Sequence, residues 1–163
     1  MVRIDSKSRA FQFKINHNIY YTNQKLQRVA IKDSTKCSFC KTQEETLSHL
    51  FIECKFVQPI WNDLQNLIKE RLSHDEKLFG KYRNIDDKSH DLISHITIIV
   101  KQSIHNSRIE CSLPSFERVK AKIVDVESLE RHIALKNVKL DQHNKKWGKL
   151  SELLTKSSTC DIP

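Results

Sequence analysis

Four residues in one short stretch have the types and spacing of metal ligands. Cys37 and Cys40 stand two residues apart, His49 follows after a gap of eight, and Cys54 after a further gap of four. Two cysteines at that separation can turn both sulfurs toward one point, and a later His and Cys complete a tetrahedron of ligands that suits Zn²⁺. Four protein ligands leave no position for water, so a closed site of this kind builds structure and hydrolyses nothing. Three thiolates around a divalent ion leave a net negative centre, and the neighbouring Lys36, Lys41 and Lys55 favour the deprotonated sulfurs. The alternative, a disulfide or redox pair of Cys37 and Cys40, needs a βαβ context that the flanking sequence lacks.

The elements that position these ligands read as helices. Ser6 or Ser8 is a candidate cap for a first helix reaching to about Tyr20, with Phe11, Ile15 and Ile19 forming a core stripe. Thr22 or Asn23 caps a short second helix in which Leu26, Val29 and Ala30 are apolar, while Lys25, Arg28 and Lys32 line its other face. Thr42-Gln43-Glu44-Glu45 fits a capping box opening the helix that presents His49, with Leu47, Leu50 and Phe51 as its apolar edge. A further helix runs from beside Cys54 to about Leu72, carrying Val57, Trp61, Leu64 and Ile68 on one stripe with Pro59 in its first turn. Trp61 is read as a core residue shared with the first helix.

Charge is concentrated before the ligands. Residues 1–36 hold eight Lys or Arg against two acids, of a net +8 for all 163 residues. Such asymmetry points to polyanionic partners, because Lys and Arg that displace condensed counterions supply most sequence-independent nucleic-acid affinity. Lys14, Lys25, Arg28, Lys32, Lys36 and Lys41 are therefore candidate contacts for RNA or DNA, in a single-stranded and weakly sequence-specific mode. Phe39, between the first two ligands, either stacks on an unpaired base or packs the knuckle onto the first helix.

Two glycines and three prolines against 29% charged residues favour a mainly α class over a turn-rich β architecture. No apolar stretch approaches the ~20 residues of a membrane helix, and no secretory leader pattern opens the chain. With five cysteines, an odd number, these features predict an intracellular, reduced protein of nucleus or cytoplasm, not secreted, with Cys111 and Cys160 as unpaired thiols. Residues 1–75 are expected to form a small helical domain around the C-C-H-C knuckle, and 76–163 a helical C-terminal extension with a disordered tail from Thr155.

Residues 73–88 read as a polar connection between the two. Asp86 and Asp87 lie there between Arg83 and Lys88, without the apolar strands that paired catalytic aspartates require, and are assigned a capping or solvated role. Leu92, Ile93, Ile96, Val100 and Ile104 predict a covered helix to about Glu110, although the β-branched run from Ile96 leaves a strand as an alternative. His90, His95 and His105 lack ligand partners at metal spacing. Pro114 opens a last helical element toward Leu154, with or without a break, with Ile133, Leu140, Trp147 and Leu154 at heptad spacing. Lys136 and His143 on that seam favour packing within a monomer. Polymerase or nuclease chemistry would need glycine-rich loops and acidic clusters that are not found, so the chain is not expected to be an enzyme.

The ligand spacing and its flanks also resemble a known family. Phe11-Gln12-Phe13-Lys14-Ile15, Thr22-Asn23, Leu26, Cys37-Ser38-Phe39-Cys40, Glu45-Thr46-Leu47, His49-Leu50-Phe51, Glu53-Cys54 and Pro59-Ile60-Trp61 look like the zinc-binding domain at the C-terminal end of LINE-type (non-LTR) retrotransposon reverse transcriptases. The resemblance is specific over residues 9–73 and looser through Leu113-Pro114-Ser115-Phe116 and Lys145-Lys146-Trp147. It implies a non-catalytic part of an RNA-directed DNA polymerase polyprotein, following the polymerase domain and helping to hold template RNA or target DNA. A zinc-stabilised protein-interaction module, using the C-terminal helix, is the competing expectation.

Overall fold

The computed structural model describes residues 5–80 and 89–157, and among these the fold is mainly α with no strand. Helix α1 spans Ser6–Asn16, α2 Asn23–Arg28, α3 Gln58–Ile68, α4 His74–Phe79, α5 Ser89–Ile109, α6 Phe116–Lys136 and α7 Leu140–Ser157, with a π-helical turn at His49–Glu53. Asp86 and Asp87 lie outside the described residues, as does the tail beyond Ser157. The segment expected to be a polar connection contains α4, whose start is a complete capping box: Ser73 accepts from the Glu76 N–H and Glu76 accepts from the Ser73 N–H.

One core runs through the described helices. Ile15 of α1, Leu50 and Phe51 of the π turn, Trp61 and Leu64 of α3, Ile96, Ile99 and Ile104 of α5, Val119 and Ile123 of α6 and Trp147 of α7 are all buried in it. Trp61 also donates its indole N–H to the Phe51 carbonyl at 2.7 Å, so its own buried donor is satisfied. Residues 96–100 are helical, not a strand. Their β-branched side chains are buried all round because α1, α4, α6 and α7 all pack on α5.

Helix ends depart from the sequence expectations for a shared reason. The chain has only two glycines, and the left-handed residues that follow α1, α2, α3, α5 and α6 are Asn18, Ala30, Lys69, Cys111 and Val138, at φ between 53° and 55°. Glycine normally marks such stops, so these are silent in the sequence. Helix α1 therefore closes at Asn16, before Tyr20, which leaves Ile19 exposed and puts Tyr20 in the core instead. Its cap is Asp5, which accepts from the Ser8 N–H and hydroxyl, and those bonds hold the carboxyl below its usual range. Val29 is likewise exposed beyond the end of α2.

The same cause places the break in the last helical element. Helix α6 begins after Pro114, with Ser115 as its cap, and stops at Lys136, where Val138 turns the chain and α7 packs across α6. The heptad seam is not continuous: Trp147 is buried while Ile133 is exposed. Between α5, α6 and α7, Glu130 accepts from Lys146 Nζ at 2.6 Å and from the Trp147 indole at 2.7 Å, beside buried His95. His143 is buried against Glu127 at 3.4 Å. The polar seam residue thus serves packing within the chain.

Lys101 is a buried amine in the middle of α5. Its Nζ donates to Gln12 Oε1 at 2.7 Å and to the Leu78 carbonyl at 2.5 Å, with no carboxylate partner among the described residues. Burial lowers its pKa from 10.5 to about 7. The folded state then holds fewer protons than the unfolded chain between those two values, so stability should climb with pH across that window; below it the full penalty for charging persists. Lys101→Met should stabilise the protein near neutrality, on the order of a few kcal/mol at most, and flatten the climb. Urea titrations across the window check this. An unchanged slope in the variant would show that Lys101 does not cause it.

Candidate metal centre

The backbone between the first two ligands is bent by local hydrogen bonds. The Cys37 N–H donates to the Gln43 carbonyl, the Glu45 N–H to the Thr35 carbonyl and the Lys41 N–H to the Cys37 carbonyl, with Lys41 left-handed at φ 58°. This loop turns both sulfurs inward. The Phe39 N–H points at the Cys37 sulfur at 3.4 Å.

The other two ligands sit at the ends of the π turn. Residues five apart lie about 140° apart around an α-helix, too far to share one ion. The wider turn, closed by the Cys54 N–H on the His49 carbonyl at 2.9 Å, brings them to the same side. The expected capping box at Thr42 and Glu45 does not form. Thr46 caps instead, its hydroxyl oxygen accepting from the His49 N–H at 3.0 Å, because the Glu45 carboxylate is drawn into the interior.

The four ligand atoms, one each from Cys37, Cys40, His49 and Cys54, lie within 4.8 Å of one another and all four residues are buried. Cys37 Sγ is 3.8 Å from Cys54 Sγ, and Cys40 Sγ is 3.4 Å from His49 Nε2. Ordinary zinc bonds of about 2.3 Å to sulfur and 2.0 Å to nitrogen at tetrahedral angles require separations of about 3.8 and 3.5 Å. The donor set and its geometry therefore fit one structural Zn²⁺. Burial pushes the Cys37 thiol up to about 12 and also raises Cys54. At Cys40 burial acts the same way, but hydrogen bonds from Gln43, Thr42 and His49 outweigh it and bring the thiol down to about 5. Metal uptake must displace the protons that burial holds on Cys37 and Cys54, so affinity falls as pH falls.

Behind the loop sits a charge pair that the sequence does not signal. Glu45 has no exposed surface; its carboxylate accepts from the Ser38 N–H at 2.6 Å, inside the Cys37–Cys40 loop, and from the Asn23 N–H at 2.9 Å. Arg108, at the end of α5, donates to Glu45 at 2.6 Å, to Asn23 Oδ1, to Ser38 Oγ and to the Tyr21 carbonyl. One guanidinium thus ties α5 to α2 and to the metal loop. The corresponding sequence separation is 63 residues, beyond any local pattern.

The proposed polyanion contacts are only partly gathered. Lys14, Arg28, Lys32, Lys36 and Lys41 are exposed, while Lys25 is partly covered and its amine turns back onto Asn18. Lys32 is not on a helical face with Lys25 and Arg28. The chain leaves the helix at Arg28, the Ile31 and Lys32 N–H groups close onto the Leu26 carbonyl, and Lys32 bonds to Asn23 Oδ1 at 2.8 Å. Lys36 reaches the Thr42 carbonyl at 2.8 Å. Lys32, Phe39 and Lys41 do meet, in one groove beside the knuckle. Phe39 is only 8% exposed, so most of its ring is given to packing; Tyr21, at 64%, is an exposed aromatic just before α2.

Comparison with known proteins agrees with the metal centre. The family described as zinc-binding in reverse transcriptase matches residues 1–61, which cover α1, α2, all four ligands and the first turn of α3. That family is a zinc-binding domain, not a catalytic polymerase domain. Among curated proteins, none matches the chain. No helix of the described residues is long and apolar enough to cross a membrane.

Proposed function

We propose that the chain is a non-catalytic nucleic-acid-binding module of a LINE-type RNA-directed DNA polymerase, in which the zinc knuckle holds a basic surface against template RNA or target DNA. The observation that carries this reading is the set of exposed cations, Lys14, Arg28, Lys32, Lys36 and Lys41, in the segment that holds a closed metal site of the kind named by the matching family, with Lys32 and Lys41 lining one groove beside it. A centre with four protein ligands has no open position for a substrate, which supports binding without catalysis. The polymerase domain of the same polyprotein is the intramolecular partner that this reading adds.

The test is the salt dependence of binding. Changing Arg28, Lys32 and Lys41 together to Gln should flatten the log-log salt slope for a single-stranded RNA by about two units, at 0.7 per phosphate neutralised. Zinc content should stay the same, and a change at Lys145, exposed on α7, should matter less. A slope unaltered by the triple change would remove the basic surface from consideration. The protein-interaction reading has one observation in its favour, the exposed Leu129, Ile133, Leu135 and Val138 near the α6–α7 turn. It would be preferred if no nucleic acid binds and a surface change at Leu129 abolishes association with a partner.

A further inference from the structure

The knuckle, α2 and the end of α5 enclose a groove of ≈ 630 Å³, a size typical of sites for small ligands. Its inner side is apolar, formed by Phe39 and the partly buried Leu26. Its mouth carries Ile109 and Leu113, aliphatic side chains left 66% and 56% exposed. Lys32, Lys41 and Arg108 line the same groove, and no lining residue is a carboxylate. Glu45 offsets the charge of Arg108, but among the described residues neither Lys32 nor Lys41 has an ion-pair partner. The groove is therefore a mixed one, with an apolar part formed by Leu26, Phe39, Ile109 and Leu113, the hydroxyls of Ser38 and Ser112 beside it, and a surplus of positive charge.

That combination selects a flat, uncharged ring attached to anions. An acidic peptide would satisfy the lysines but has no flat apolar group for Leu26, Phe39, Ile109 and Leu113, and a base in a duplex is stacked and paired and cannot enter. We propose that the groove takes one unpaired base of a single-stranded nucleic acid, packed against Phe39, Ile109 and Leu113, with the neighbouring phosphates on Lys32 and Lys41. The inference rests on the nucleic-acid reading above and adds a base site and its location to it. It also gives residues 108–113 a direct part in binding, although the zinc-binding family matches only residues 1–61.

Cys111 offers a native reporter, being exposed and part of the groove lining, whereas the three ligand cysteines are buried. The full-length zinc-loaded chain would be used in a Cys160→Ser background, with fluorescein-labelled decauridylate and a blunt-ended RNA duplex as probes. Saturating decauridylate should protect Cys111 from iodoacetamide, and the duplex should not. Leu113→Ser and Ile109→Ser, at exposed positions where folding is not at stake, should weaken decauridylate about tenfold while leaving duplex affinity and the salt slope unchanged. If RNA binds but neither protection nor the tenfold loss appears, the groove is not the base site and the broader nucleic-acid reading still stands. If neither RNA nor DNA binds the wild-type chain, that broader reading fails and the base site with it. Equal protection by decaglutamate would overturn base recognition in favour of an acidic peptide.

Discussion

Cys54→Ser is expected to release the metal and unfold the region around it. Cys54 is wholly buried, its sulfur 3.8 Å from that of Cys37, and its N–H closes the π turn on His49. Serine offers no thiolate, and the three remaining ligands would face an open coordination position. Structural zinc contributes about 10–16 kcal/mol of apparent binding free energy in small zinc domains. Here the described core is larger than such a peptide, so a loss on the order of 5 kcal/mol is the fairer expectation. The readouts are metal content and thermal melting. Retention of one equivalent of zinc with unchanged melting in Cys54→Ser would refute the site. Cys111→Ser should leave the metal in place, since Cys111 is exposed at the end of α5 and outside the ligand cluster.

The second large effect should come from Arg108, far from the ligands in sequence. Replacing it by Met leaves Glu45 buried without its counter-charge, and breaking a buried pair from one side costs about 3–5 kcal/mol. Glu45 keeps the Ser38 and Asn23 N–H donors, so the lower end, about 3 kcal/mol, is expected. Because Glu45 also holds the Ser38 N–H inside the Cys37–Cys40 loop, zinc affinity should weaken by about tenfold, as when outer contacts of a metal site are lost. The double change Glu45→Gln with Arg108→Met should recover part of the stability, since no uncompensated charge then remains. Urea denaturation of the zinc-loaded forms and competition with a chelator would measure both quantities. If Arg108→Met alters neither, the pair is incidental to the knuckle and α5 is held by apolar packing alone.

The metal centre was legible because it is local. All four ligands fall within one short stretch, and the preference of two thiols separated by two residues for a shared ion does not depend on the rest of the chain. The mainly α class was legible too, from scarce Gly and Pro and from apolar stripes such as Val57, Trp61 and Leu64, all of which are buried. Helix ends were not. The turns at Ala30 and Val138 use residues with no preference for a left-handed backbone, so packing, not local propensity, sets them. That is why the spacing of Lys25, Arg28 and Lys32 suggests a shared helical face that does not form, and why nothing in the sequence marks where α6 gives way to α7.

What only the tertiary structure decided is what the polar residues near the knuckle do. Glu45 has the right spacing for a capping box, but the alternative of accepting from Ser38, Asn23 and Arg108 in a buried setting is stronger, and Thr46 caps in its place. His95 and Lys101, ordinary in the sequence, become a buried imidazole beside Glu130 and a buried amine bonded to Gln12. The groove joins Leu26, Phe39 and Leu113, and its existence depends on α5 ending beside the knuckle. Ligand identity is a matter of short-range chemistry and can be read from one stretch of chain; a charge's partner and a groove's walls come from segments that meet only when the core closes.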